Sequence, residues 1–219
     1  MARSSDLFFK QYDHFGADWM KGQLASPLRD SRRAFRAQLD RSLKGRRLLD
    51  AGCGYGHDLP FFVRRGATVY GIDGSKRMID LARRHNPTLK TLSVQRLQKT
   101  TFPSRSFDIV VSQYALHNAI DLAPAFKELR RILKPGGILL YLVQHPLFIF
   151  LAKRSGRYHR RETVEFTIPD MKGRCAIRQP AHTFSEYFTR DILRHFELVA
   201  FAEGRERVPM WFLAKLRRK

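Results

Sequence analysis

Cysteine is scarce: Cys53 and Cys175 are the only two in 219 residues. So widely separated a pair provides neither a disulfide framework nor a thiolate metal site, and no metal is expected. Long apolar runs are missing as well. None approaches the roughly 20 residues that a bilayer-spanning helix needs, and the amino terminus, Met-Ala-Arg-Ser-Ser-Asp, has no secretory apolar region, so a cytoplasmic setting is expected. Internal repeats and low-complexity tracts are absent. Acidic residues are few, 20 Asp and Glu against 41 Lys and Arg, for a formal net charge of +21. Such an excess favours nucleic acid, anionic lipid or acidic substrates as partners and says nothing about fold. It is spread over the amino-terminal segment, the region near 150–161 and the tail 215–219, with Lys153–Arg161 the one dense run; runs of this kind often only solvate a face.

What is present is an alternation of strand and helix patterns, in a length suited to one α/β domain spanning 1–219. Residues 1–46 read as a helical cap, with Leu28, Phe35, Leu39 and Leu43 at helical spacing behind Pro27. Strands are expected near 47–51, 67–72, 89–95, 107–113 and 137–144, with helices near 57–65, 75–84 and 121–133 between them. This order implies right-handed crossovers and a parallel sheet covered on both faces. Near the end, Thr183-Phe-Ser-Glu186 is a capping box opening a helix to about His195. Apolar strands at 196–202 and 208–216, joined by a short polar link, then predict an antiparallel hairpin. Residues 145–182 interrupt the order and read as a substrate lid or floor at the carboxyl end of the sheet.

The most informative stretch is Leu48-Leu-Asp-Ala-Gly-Cys-Gly-Tyr-Gly56. An apolar strand ends in Asp50, and Gly52, Gly54 and Gly56 then let the backbone turn sharply and approach a ligand closely. A second strand ends in Asp73, placing an acid within reach of a ribose diol. Asp50 would repel the pyrophosphate of a dinucleotide but attract an ammonium group. S-adenosylmethionine satisfies both acids: an amino-acid head, a ribose and no phosphate. Cys53 is a small loop-filling residue, since no base stands near it in sequence.

With these motifs stand Tyr12-Asp13-His14-Phe15-Gly16-Ala17, Gly71-Ile72-Asp73-Gly74-Ser75, Phe102-Pro103, Ser106-Phe107-Asp108 and Leu133-Lys134-Pro135-Gly136-Gly137. Together they resemble the class I S-adenosylmethionine-dependent methyltransferases, in particular the small bacterial enzymes related to those of quinone biosynthesis. The resemblance implies a Rossmann-like seven-stranded sheet in the order 3-2-1-4-5-7-6 with strand 7 antiparallel. It implies cofactor contacts from Tyr12, Asp50, the glycine loop, Asp73, Gly74, Ser75, Met78 and Gln113. Relatives commonly place an acid after strand three to meet the adenine amino group; here Arg96 stands there, between Gln95 and Leu97, so adenine recognition falls to backbone or Gln95.

Methyl transfer needs a dry, oriented encounter more than a catalytic cluster, and a base only where the acceptor must lose a proton. His145, at the end of strand five, is the base candidate by position, and His117, after strand four, is a second. The alternative for His145 is a hydrogen-bonded histidine that fixes the loop before Pro146, and for His117 a structural or cofactor-shielding role. Tyr114, Phe148, His182 and Tyr187 are candidates for the acceptor side. The acceptor class expected is a small molecule methylated on oxygen, nitrogen or carbon. An RNA acceptor gripped through the basic surface, or a peripheral contact with anionic lipid through Phe148–Leu151 and the adjacent basic run, are the alternatives.

Overall fold

The computed structural model describes residues 8, 11–13, 26–167 and 176–219. Much of the expected cap before residue 26, Leu28's side chain and Cys175 lie outside the described residues. Helix α1 (Ser26–Ala37) leads into β1 (Arg47–Ala51), α2 (Leu59–Arg64), β2 (Thr68–Asp73), α3 (Lys76–His85) and β3 (Leu92–Val94). The chain continues through β4 (Phe107–Gln113), α4 (Leu122–Ile132), β5 (Leu133–Gln144), α5 (Pro146–Leu151), β6 (Thr163–Thr167), β7 (Ala176–Pro180), α6 (Arg190–His195), β8 (Phe196–Glu203) and β9 (Trp211–Arg218). No described helix is long and apolar enough to cross a membrane.

Seven strands form one sheet in the order β3-β2-β1-β4-β5-β9-β8. The first five run parallel, and β9 is antiparallel to both β5 and β8. With β8 and β9 as the sixth and seventh strands of this sheet, the expected order and its one reversal are borne out. Successive side chains on β1 enter opposite layers, as a strand covered on both faces requires. Leu48 packs with Phe35, Leu59, Phe62 and Ile79 beneath α1, α2 and α3. Leu49 packs with Phe126, Leu129, Tyr141 and Phe212 on the side of α4.

Several boundaries differ from the sequence pattern. The buried row Phe35, Leu39 and Leu43 is present, but the helix stops at Ala37, so the last two are buried by turns. β5 begins at Leu133, which pairs with Phe107 across a bulge, rather than after the glycines. The helix expected from Thr183 is split: the capping box closes on a 3-10 turn, Phe184–Phe188, and Thr189 then caps α6 by accepting from Ile192 N. Residues 145–182 are more regular than a loop, comprising α5 and the antiparallel pair β6–β7.

Candidate active site

A crevice opens at the carboxyl ends of β1, β2 and β4, where a parallel sheet presents ligand sites. Asp50 and the glycine loop form its floor, and Asp73, Gly74, Met78, Gln95 and Leu97 form one wall. Tyr12, Gln113 and Tyr114 complete the set read from sequence, joined by Arg32, Tyr55, His57, Asp58, Ala115 and Asn118.

The loop geometry follows from its glycines. Gly52 N and Cys53 N both donate to Ile72 O, at 2.8 and 2.9 Å, folding the loop over the end of β2. Gly52 has φ +88°, and a Cβ there would sit 2.1 Å from Ala115 Cβ. Gly54, at φ +52°, has nothing within 4 Å of such an atom and faces open space. Gly56 behaves differently: its carbonyl accepts from Asn86 Nδ2 at 3.2 Å, which fixes it against the end of α3 and away from the crevice lining. The Cys53 thiol is buried and is pushed up by burial and then by Asp50 and Asp73, a setting for an inert thiol.

Asp73 accepts from Gly54 N at 3.0 Å and from Ser75 N at 2.8 Å. Ser75 caps α3 by accepting from Met78 N at 3.1 Å and donates to Asp13. Residues 11–13 thus span the crevice. Gln11 exchanges two hydrogen bonds with the backbone of Arg178 on β7, and Tyr12 Oη accepts from Asn118 Nδ2 at 3.1 Å. Burial raises the Tyr12 phenol.

Three carboxylates converge in this otherwise basic chain, and they are not equally answered. Asp58 is held by Arg36, by Gln113 Nε2 at 3.0 Å and by an ion pair with Arg32 at 3.8 Å. Asp50, also buried, receives no hydrogen bond from the described residues. Burial pushes its carboxyl well above the usual range, Asp58 and Asp73 add to the shift, and Arg32 opposes it. Close by, Gln113 Oε1 and Asn118 Oδ1 are buried acceptors without a donor. An unanswered carboxylate and two orphaned carbonyl oxygens suit a cation carrying several N–H groups. The residues therefore fit the amino-acid head of S-adenosylmethionine, and Asp73 fits its ribose.

Tyr114 adopts φ +52°, rare for a non-glycine residue, and its hydroxyl donates to Ser31 Oγ on α1 at 2.8 Å. Arg96 is exposed and outside the crevice lining. Gln95 turns its side chain to Ser93, Thr101 and their surroundings.

The histidines do not face the crevice as their positions predicted. His145 caps α5, its Nδ1 accepting from Leu147 N at 3.1 Å, while Nε2 lies 3.3 Å from Glu203. Burial lowers its pKa, partly opposed by Glu203. His117 is enclosed, its Nδ1 has no partner, and burial depresses it to about 3. His182 is bonded to Ala119 O at 2.7 Å. Tyr187 is a core residue against Tyr141 and Phe212, and Phe148 packs on the small cluster of Ile149, Val164 and Ala181.

Comparison with known proteins bears on the domain and the fold. Residues 49–141 match the family model described as a methyltransferase domain. Over 111 residues, 48% of this chain and 44% of the relative, the sequence is 36% identical to a ubiquinone biosynthesis O-methyltransferase of Alkalilimnicola ehrlichii. It is 33% identical to a malonyl-[acyl-carrier protein] O-methyltransferase of Serratia marcescens over 44% of this chain and 38% of that one. The matched region thus spans less than half the length of these curated relatives. The fold superposes on a putative S-adenosylmethionine-dependent methyltransferase from Listeria monocytogenes with a TM-score of 0.71, covering 86% of this chain and 96% of that one at 20% identity. The fold is that of this methyltransferase structure, and residues 49–141 within it match a methyltransferase domain.

Proposed function

We propose that this chain transfers a methyl group from S-adenosylmethionine to an oxygen, nitrogen or carbon of a small-molecule acceptor. The observation that carries the reading is Asp50: a buried, unanswered carboxylate in a chain of net charge +21, at the turn where the fold binds ligands. The relatives named for quinone-precursor and acyl-carrier methylation support the same chemistry and leave the acceptor open.

In this reading Asp50, with Gln113 Oε1 and Asn118 Oδ1, holds the cofactor's ammonium group, and Arg32 and Tyr12 stand toward its carboxylate. Asp73 takes the ribose hydroxyls through the lone pairs that Gly54 N and Ser75 N leave free. Gly54 admits the ligand against bare backbone, and Met78 and Leu97 supply an apolar surface for adenine. Bound there, the cofactor supplies a methyl group on a sulfonium whose positive charge is lost on transfer. The chain's contribution is orientation and exclusion of water, with residues 11–13 closing over the crevice. No general base is assigned: His145 is committed to capping α5, and His117 is enclosed and weakly basic.

Calorimetry with S-adenosylhomocysteine and, separately, NADH tests the site, and only the former should bind. Incubation with methyl-labelled cofactor and fractionated cell extract tests the acceptor. Label should enter the small-molecule fraction. Label confined to RNA would replace the acceptor class, and binding of NADH alone would overturn the reading.

A further inference from the structure

The basic run singled out in the sequence, Lys153–Arg161, is partly structural. Lys153 is buried, and its ammonium donates to the carbonyls of Tyr158 and Arg160. The stronger concentration of positive charge lies elsewhere. Arg29, Arg32, Arg33 and Arg36 lie on α1 with pairs spaced three and four apart, and with Arg65 and His57 they line a shallow groove open to solvent. No carboxylate is among the residues lining it.

Like charges at these spacings oppose helix formation, so the arrangement is not one that α1 adopts for its own stability. Part of it is rigid. The Arg36 and Arg65 guanidinium groups lie 4.7 and 4.3 Å from the Phe61 ring centroid. Arg65 also donates to Leu39 O and Asp40 O, and Arg36 is bound to Asp58. Arg29 and Arg33 have no ion-pair or hydrogen-bond partner among the described residues and lie open to solvent. A set of fixed and free guanidinium groups around one groove suits a multiply charged tetrahedral anion better than a single carboxylate.

The groove adjoins the crevice, since Arg32 and His57 line both. We propose that this groove binds a phosphate-bearing part of the methyl acceptor, so that the acceptor is a phosphorylated small molecule whose reactive end enters the crevice beside Asp58. This rests on the methyl-transfer reading given above. A small molecule is favoured over RNA because the charge is gathered in one groove beside the crevice, rather than along a track across the surface.

The test uses pyrophosphate as probe, titrated by calorimetry into the full chain saturated with S-adenosylhomocysteine. Replacing Arg29 and Arg33 together by glutamine should weaken pyrophosphate binding about tenfold or more and leave S-adenosylhomocysteine affinity within about twofold, as neither residue lines the crevice. The double variant Arg205→Gln/Arg207→Gln removes the same charge from the β8–β9 link and should leave pyrophosphate affinity nearly unchanged. Equal losses in the two variants, or no pyrophosphate binding, overturn the proposal. So does a single-stranded RNA oligomer that binds far more tightly than pyrophosphate and loses most of its affinity in the Arg29/Arg33 variant. In the labelled-extract assay the labelled product should be retained by an anion exchanger until phosphatase treatment; a product that phosphatase leaves unaltered also overturns it. Failure of S-adenosylhomocysteine to bind counts separately, against the methyl-transfer reading.

Discussion

Gly54 N donates to Asp73 Oδ2 at 3.0 Å, latching the loop after β1 to the acid that ends β2. The two motifs that define the crevice are therefore one hydrogen-bonded unit, and the charge state of Asp73 affects both.

Burial pushes the Asp73 carboxyl up to about 6 from 3.8, against hydrogen bonds from Ser75 and Gly54. Because the folded value stands above the unfolded one, the folded state holds the extra proton in this window, and Asp73 takes stability away as pH rises through it. Ribose hydroxyls favour the ionised form. Affinity for S-adenosylhomocysteine should therefore fall as pH drops below about 6, and binding near that pH should release protons. Calorimetry from pH 5 to 8 in buffers of different ionisation enthalpy measures both; a flat profile would exclude Asp73 as the ribose acceptor.

Asp50→Asn should separate stability from binding. Removing an unanswered buried charge should stabilise the free protein by about 1 kcal/mol, or roughly 2–4 °C in Tm. The same change should weaken S-adenosylmethionine binding by about 3 kcal/mol, near 100-fold. Thermal unfolding with and without S-adenosylhomocysteine reads both effects, and a variant that loses stability while keeping affinity would contradict the role given to Asp50.

Two glycines of the loop should respond unequally to alanine. At Gly52 the positive φ and the 2.1 Å approach to Ala115 Cβ act together, for a loss of about 2–4 kcal/mol. At Gly54 the space is open, and only the backbone penalty of about 1 kcal/mol applies. Urea denaturation of both variants gives the comparison; equal losses would show that the contact with Ala115 relaxes freely.

Glu128 on α4 joins Thr100 N, Thr100 Oγ1 and the Arg131 guanidinium in one network. Hydrogen bonds from Arg131 and Thr100 outweigh burial and hold its carboxyl down to about 2 from 4.5. Its contribution is thus present above pH 4.5 and lost as pH falls toward 2. Glu128→Ala should cost about 2 kcal/mol at neutral pH, with the difference from the parent narrowing in acid. A difference that stays constant across that range would mean the loss is one of packing alone.

The sheet order and most of the crevice were legible because their signals are local. A strand ending in an acid, glycines at fixed offsets and a serine cap place Asp50, Gly52, Gly54, Asp73 and Met78 without knowledge of the rest of the chain. Asp58 escaped notice although it stands directly before Leu59-Pro60 at the start of α2. Its significance comes from Arg32, Arg36 and Gln113, which no short-range pattern joins to it. His145 stands at the end of strand five, at the carboxyl edge of the sheet, and that position alone suggested a base. Its role as the cap of α5 is not signalled locally, because the cap preference belongs to Ser, Thr, Asp and Asn. The pairing of β6 with β7 lies inside 145–182, where prolines and glycines gave no strand pattern and suggested only a lid or floor. The charge was read by density along the sequence, whereas helical geometry gathers arginines spaced three and four apart on α1 into the stronger patch.

β9 is the last strand in sequence, yet it lies between β5 and β8. During synthesis, β5 must therefore emerge with a bare apolar margin and wait for residues 211–218, on the order of several seconds at ordinary elongation rates. For that interval the nascent chain offers an open template to any other extended segment.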